Sequence, residues 1–152
     1  MTASERLAEL GLTLPPVAAP AGSYQPAIRT GSYVYTSGQL PMVEGKLPAV
    51  GKVGGQVSPA DAQGYARVCA LNALAAIDAL VGLDAVVRVV KVVGFVASAE
   101  GFTGQPGVIN GASDLLTEVF GEAGRHARSA VGVFELPLGT PVEVELVVEV
   151  HP

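Results

Sequence analysis

In the segment VEVELVVEV, residues 142–150, every even position is apolar: Val142, Val144, Leu146, Val148 and Val150. Three of the odd positions are Glu143, Glu145 and Glu149, with Val147 between them. Side chains of an extended strand alternate between two faces, so this pattern requires a strand with one face on a core and the other bearing acids. A helix would scatter the same residues around its circumference. The chain must therefore build a sheet that is covered on one side.

The rest of the chain supplies more strands and the cover. Residues 86–97, VVRVVKVVGFVA, are almost purely β-branched and predict a central strand. SAVGVFELP (129–137) predicts another, expected to pair antiparallel with 142–150 across the turn LPLGTP. In AIRTGSYVYTSGQLP (27–41) apolar and aromatic residues flank TGS, which predicts a hairpin, with Gly38 and Pro41 ending its second strand. Ser58-Pro59-Ala60-Asp61 gives a serine cap, a proline at the first helical position and an acid at the third, so a helix should run from there to Val81 and stop at Gly82. Its expected buried stripe is Tyr65, Cys69, Ala73, Ile77 and Leu80. Pro106 opens a second helix with an apolar face of Ile109, Ala112, Leu116, Val119 and Phe120, ended by Gly121 and Gly124. SERLAEL (4–10) predicts a short helix capped by Ser4, and LPPVAAPAG (14–22), with three prolines, an extended arm. Residues 42–57 are glycine-rich and irregular. The order β-β-α-β-α-β-β predicts an α+β fold: one mixed sheet with two helices on one face, in a single domain spanning 1–152 whose first 22 residues are the short helix and arm.

Composition excludes several functions. The net charge is −5 and only 9 residues are Lys or Arg, scattered along the chain, so no basic stripe exists for nucleic acid. Arg88 and Lys91 interrupt the most apolar segment, and no membrane span is expected. The N-terminus MTASERLAELG lacks the basic and apolar regions of a signal peptide, and the single Cys69 suits a reducing compartment, so a cytoplasmic location is expected. His126 and His151 lie far apart with no second cysteine, which argues against a metal site. GKVGG (51–55) lacks the spacing of a phosphate loop. Hydrophobic residues make up 49% of the chain and mean hydropathy is +0.45, a surplus that points to a subunit interface.

EAGRHARSAVGVFELP (122–137) stands apart. Arg125 and Arg128, two of nine basic residues, flank His126 immediately before an apolar strand. Arg128 has two readings. It pairs across strands with Glu143 or Glu145, or it offers its fork of donors to the carboxylate of a ligand. His126 is either an exposed loop histidine or a group that contacts a substrate tail or carries protons. Tyr24 reads equally as interface packing, Asn110 as a helix-start residue, Tyr33 and Tyr35 as packing, and Cys69 as a small core residue.

Four ordered fragments, GSYQPAIRTGSYVYTSGQLP (22–41), NALAAIDALVGLDAVVRVVKVVGFV (72–96), VINGASDLLTEVFG (108–121) and RSAVGVFELPLGTPVEVELVVEV (128–150), resemble the Rid family, also called the YjgF family, of enamine/imine deaminases. The resemblance implies a chorismate-mutase-like subunit, a homotrimer built around a central barrel, and active sites in the clefts between subunits. It implies hydrolysis of 2-aminoacrylate-like enamine or imine acids to 2-keto acids and ammonia, with a small carboxylate as substrate and no metal or organic cofactor. It places the carboxylate clamp on Arg128, its acidic partner on Glu143, and further substrate contacts on Tyr24, Ser37, Gly38 and Asn110. Ala130 stands in the site where many relatives carry a cysteine; Gly132 replaces an acid and Ser23 a proline. GRHAR fills an interval between Asn110 and Arg128 that is longer than usual. Two other functions suit the same residues: a trimer that binds small carboxylates or keto acids without turnover, and the ribonuclease or translation-inhibitor role named for some relatives.

Overall fold

The computed structural model describes residues 1–20 and 22–152. Its elements are α1 (Ala3–Glu9), β1 (Ala27–Thr30), β2 (Tyr33–Thr36), α2 (Pro59–Val81), β3 (Val86–Ala97), α3 (Gln105–Phe120), β4 (Ala127–Val133) and β5 (Val142–Val150). The strands form one sheet in the order β1-β2-β5-β3-β4. Pairing is antiparallel except between β3 and β4, which run parallel, so the sheet is mixed and the fold α+β.

The partner of β4 differs from expectation. It lies beside β3, with Val92 opposite Arg128, and β5 sits on the other side of β3. Parallel neighbours need a long crossover, which α3 provides. The link LPLGTP holds no two-residue hairpin turn; it forms a single 3-10 turn, Pro137–Gly139, with Leu138 at φ +60°. That detour carries β5 past β3 into the middle of the sheet, where both of its edges are paired.

The alternation in β5 fixes the cover. Its five even positions are at most 1% exposed, while Glu143, Glu145, Val147 and Glu149 are half-buried on the other face. Against the even face pack α2, through Ala62, Ala66, Cys69, Ala73 and Ile77, and α3, through Ile109, Ala112 and Leu116. Truncating a side chain such as Leu146 to alanine there costs about 2–5 kcal/mol. Alanines let the helices approach closely. At Gly111 a methyl group would overlap the Gln63 carbonyl, so α2 and α3 cross at backbone contact. Leu80, expected in the α2 stripe, is exposed because the stripe drifts toward Ala70 and Leu74.

Local cap chemistry sets the helix ends. The Ser58 hydroxyl accepts the Asp61 amide at 3.1 Å, Pro59 opens α2 and Gly82 closes it at φ +85°. By length and composition α2 is long and apolar enough to cross a membrane, which the sequence reading did not anticipate; half of that window is buried inside the fold. The cap of α1 is Thr2 rather than Ser4: Thr2 and Glu5 exchange bonds of 3.1 and 2.9 Å in a capping box. The Ser4 amide is spent instead on Asp84, at 2.9 Å.

The sheet face away from the helices is open. Ile28, Tyr33, Tyr35 and Val131 stand on it, each at least 42% exposed.

Candidate functional site

Glu143 enters the open face at the start of β5, opposite Phe95. The end of β2 is folded against it. The Ser37 amide donates to the Pro26 carbonyl at 2.8 Å and its hydroxyl to the Gln25 carbonyl at 2.5 Å. Gln39 and Val144 exchange backbone bonds of 2.8 and 3.0 Å. Gly38, between them, is thereby pressed onto the Glu143 carboxylate, where any Cβ would overlap Oε2. The Gly38 amide has no hydrogen-bond partner among the described residues. Beside these groups opens a cavity of about 540 Å³, which Tyr24, Ser37, Gly38 and Glu143 all line. Burial, and next to it the charge of Glu145, push the Glu143 carboxyl above its usual range. A carboxyl so placed takes up and releases a proton at higher pH than an ordinary glutamate, which suits acid–base work.

Arg128 lies elsewhere. Its strand is the sheet's edge, and its side chain turns to the helix side, where α3 holds it. Nη1 donates to Asn110 Oδ1 at 2.8 Å and to Ser113 Oγ at 3.2 Å, and Nη2 donates to the Pro106 carbonyl at 3.3 Å. All three acceptors are neutral. Arg128 forms no ion pair among the described residues. The cross-strand pair with Glu143 or Glu145 is not formed, because β3 intervenes and those carboxylates occupy the opposite face. Nor does Glu143 face Arg128 from a neighbouring strand. Asn110 is the sixth residue of α3 rather than its opening residue, which is what brings its amide over Arg128.

His126 is turned inward. Its Nδ1 lies 2.6 Å from the Gly124 carbonyl, which can only accept, so Nδ1 carries the hydrogen. With the ring in its neutral form Nε2 accepts from the Ser113 hydroxyl at 2.9 Å, leaving Ser113 Oγ a lone pair for Arg128. A directed chain results: Arg128 to Ser113 to His126 to Gly124. Ser113 escaped the sequence reading. The available signal was its place three residues after Asn110, on the same helix face. Arg125 pairs with Glu122 at 3.6 Å on the surface. Ala130 shares the face of Arg128, opposite Gly94, and packs against the core. Cys69 is wholly buried in α2; burial and then the charge of Glu143 push its thiol up, so it is a core residue and not a nucleophile.

The sequence-predicted residues thus fall into two groups. Tyr24, Ser37, Gly38 and Glu143 meet at the cavity; Asn110, Arg128, Ala130 and His126 gather at the β4 edge. Arg128 and Glu143 are two strands apart, about 10 Å across the sheet, and three registers apart, about 10 Å along it, on opposite faces. No small ligand touches both within one chain. No group of three His, Cys, Asp or Glu side chains converges among the described residues.

Comparison with known proteins places this architecture. Residues 4–150 match the family model described as "YjgF/chorismate mutase-like, putative endoribonuclease". Protein TCP17 of Trypanosoma cruzi is 46% identical over 147 residues, covering 95% of this chain and 92% of that protein. The crystal structure of Atu1372 from Agrobacterium tumefaciens, a protein of unknown function, is 46% identical and superposes with a TM-score of 0.88 over 98% of this chain and 92% of that one. E. coli TdcF, crystallised with bound serine, is 26% identical with a TM-score of 0.66, over 92% of this chain and 96% of that one.

Proposed function

The chain belongs to the YjgF/chorismate-mutase-like family, and we propose that it hydrolyses 2-enamine and 2-imine acids to 2-keto acids and ammonia at sites shared between subunits of a homotrimer. One observation carries this reading: the Arg128 guanidinium is fixed by three neutral oxygens and pairs with no carboxylate among the described residues. A half-exposed cation so held is a receptor for an external carboxylate. The bound serine of TdcF, an amino acid with that carboxylate, is in keeping with it.

Arg128 binds the substrate carboxylate next to the imine carbon. Glu143 of a second subunit takes a proton from water as the water oxygen bonds to that carbon, and the C=N electrons go to nitrogen. The same carboxyl returns that proton to nitrogen, giving the carbinolamine; it then takes the hydroxyl proton and passes it to nitrogen as the C–N bond breaks, so the C=O of the 2-keto acid forms and ammonia leaves. The Gly38 amide can only donate, and it steadies the developing hydroxyl or the substrate carboxylate. Positioning carries most of the acceleration, since imines hydrolyse readily once water is aligned.

The trimer is part of the proposal. The open sheet face with Ile28, Tyr33, Tyr35 and Val131 is the surface that subunits would cover, and only contact between chains brings an Arg128 to a Glu143. The net charge of −5 weighs against the RNA cleavage named in the family description.

Mixed trimers test this directly. Arg128→Ala and Glu143→Gln proteins should each release little keto acid from imines made in situ by an amino-acid oxidase. Unfolded together and refolded as a mixture, they should regain about a quarter of wild-type activity, because each interface has a one-in-four chance of combining an intact arginine with an intact glutamate. Mixed trimers that stay as inactive as the parents would exclude the shared site.

A further inference from the structure

Resting on the deaminase reading, we propose that the cavity beside Glu143 is the side-chain pocket of the site and that it selects 2-imino acids with a branched or aromatic apolar side chain, not the bare methylene of 2-aminoacrylate. Size is the first ground. Aminoacrylate has six non-hydrogen atoms, which at about 30 Å³ each, the share of a water molecule in the liquid, fill roughly a third of the space; the cavity measures about 540 Å³. Its polar groups, Ser37, Gly38 and Glu143, are grouped where β2 meets β5. Apart from Tyr24 and Gln39 the remaining wall is apolar, with Ala18 and Pro20 of the proline-rich arm facing Leu40, Met42 and Leu138. An arm of this composition is stiff and extended before any ligand arrives. Met42 adds a flexible, polarisable surface that adapts to side chains of different shape.

Leu138 supplies a second, independent ground. Its backbone is left-handed, at φ +60° and ψ 12°, a conformation that glycine or asparagine adopts readily and leucine does not. The strain does not serve the core, because the side chain is left 65% exposed. It does set four apolar carbons at the cavity rim. The turn itself serves the topology, but a leucine in it, where glycine would be unstrained, lines the rim and not the core, the pattern of a functional contact.

The test compares imines generated in situ from alanine, leucine and phenylalanine. Wild type should show a higher kcat/KM for the leucine- and phenylalanine-derived imines than for the alanine-derived one. Leu138→Gly should cut that preference about tenfold, the scale on which an apolar pocket senses a few carbons. Its Tm should not fall, since glycine relieves the strained turn. Equal or greater activity on the alanine-derived imine in wild type overturns the proposal. So does a Leu138→Gly protein that loses all three substrates alike, or one that no longer assembles, which would make Leu138 an interface residue. If wild type turns over none of the imines, the deaminase reading fails and the pocket is judged by calorimetry. Tighter binding of 4-methyl-2-oxopentanoate than of pyruvate, weakened by Leu138→Gly, upholds the pocket; equal or absent binding of both rejects it.

Discussion

The two charged groups of the candidate site are held in opposite ways. Glu143 is pressed between a glycine backbone and a neighbouring acid, so its surroundings make the charge costly. Arg128 is surrounded by carbonyl, amide and hydroxyl oxygens that orient its charge without cancelling it. A group whose charge is disfavoured exchanges protons; a group whose charge is uncompensated binds a counter-ion. On the proposed reading, chemistry falls to the start of the central strand β5 and recognition to the β4 edge, and each role can be broken separately.

The largest effect belongs to the cation. Arg128→Ala should lower kcat/KM for imine hydrolysis by about 10²- to 10⁴-fold, the loss of two charge-assisted bonds to a carboxylate at about 1.5–3 kcal/mol each. Arg128→Lys keeps the charge but not the fork, and should restore little. Near-wild-type rates in the lysine variant would show that charge alone suffices.

Glu143→Gln should cost about 10²-fold or more in kcat, the usual share of a positioned acid–base group. Its stability should move the other way. A carboxyl raised in the folded state holds its proton more tightly there than in the unfolded chain. Its favourable contribution is complete below the unfolded value of about 4.3 and is lost as pH rises through the raised folded value. Glutamine has no ionisation to lose, so the variant should melt higher than wild type at pH 7 and no higher near pH 4. Wild-type kcat/KM should also fall as pH drops through the raised Glu143 value. Calorimetry showing the variant less stable at pH 7 would contradict the cost assigned to this charge.

Gly38→Ala probes the same carboxylate from beneath. The added methyl must displace it toward solvent, so kcat should fall about tenfold and the acid limb of the pH profile should shift to lower pH as burial is relieved. An unchanged profile would mean that the carboxylate tolerates the methyl without moving.

These contrasts mark how far the sequence could be read. The alternation in 142–150, the β-branched run 86–97 and the Ser58-Pro59 start are local signals, and the structure bears each of them out. Strand partnership was not legible: alternation says which face of a strand is buried, never which neighbour it joins, and of 129–137 only the part up to Val133 is strand. The β4–β5 hairpin failed for that reason, and with it the Arg128–Glu143 pair. Glu143, Ser37 and Gly38 came from family resemblance, and the structure gathers them with Tyr24 at one cavity. The brace behind Arg128 was missed, because the place of Ser113 three residues after Asn110 gains meaning only once the arginine is known to turn toward α3.

That brace gives the smallest and most discriminating effect. Ser113 contributes one neutral hydrogen bond to Arg128, worth about 1 kcal/mol, while Asn110 and Pro106 keep their own. Ser113→Ala should therefore raise KM about fivefold and leave kcat nearly untouched, because it loosens the carboxylate receptor without touching the proton path. His126→Ala should do the same, since Ser113 then loses the acceptor that orients its hydroxyl. His126→Gln offers an amide oxygen in place of Nε2 and should recover most of the loss. Steady-state kinetics of the three variants separate the alternatives for this histidine. A shared rise in KM, rescued by glutamine, makes His126 a positioning residue for Arg128. A large fall in kcat that glutamine does not rescue would place it in proton transfer instead, and the division of labour between Glu143 and the β4 edge would have to be redrawn.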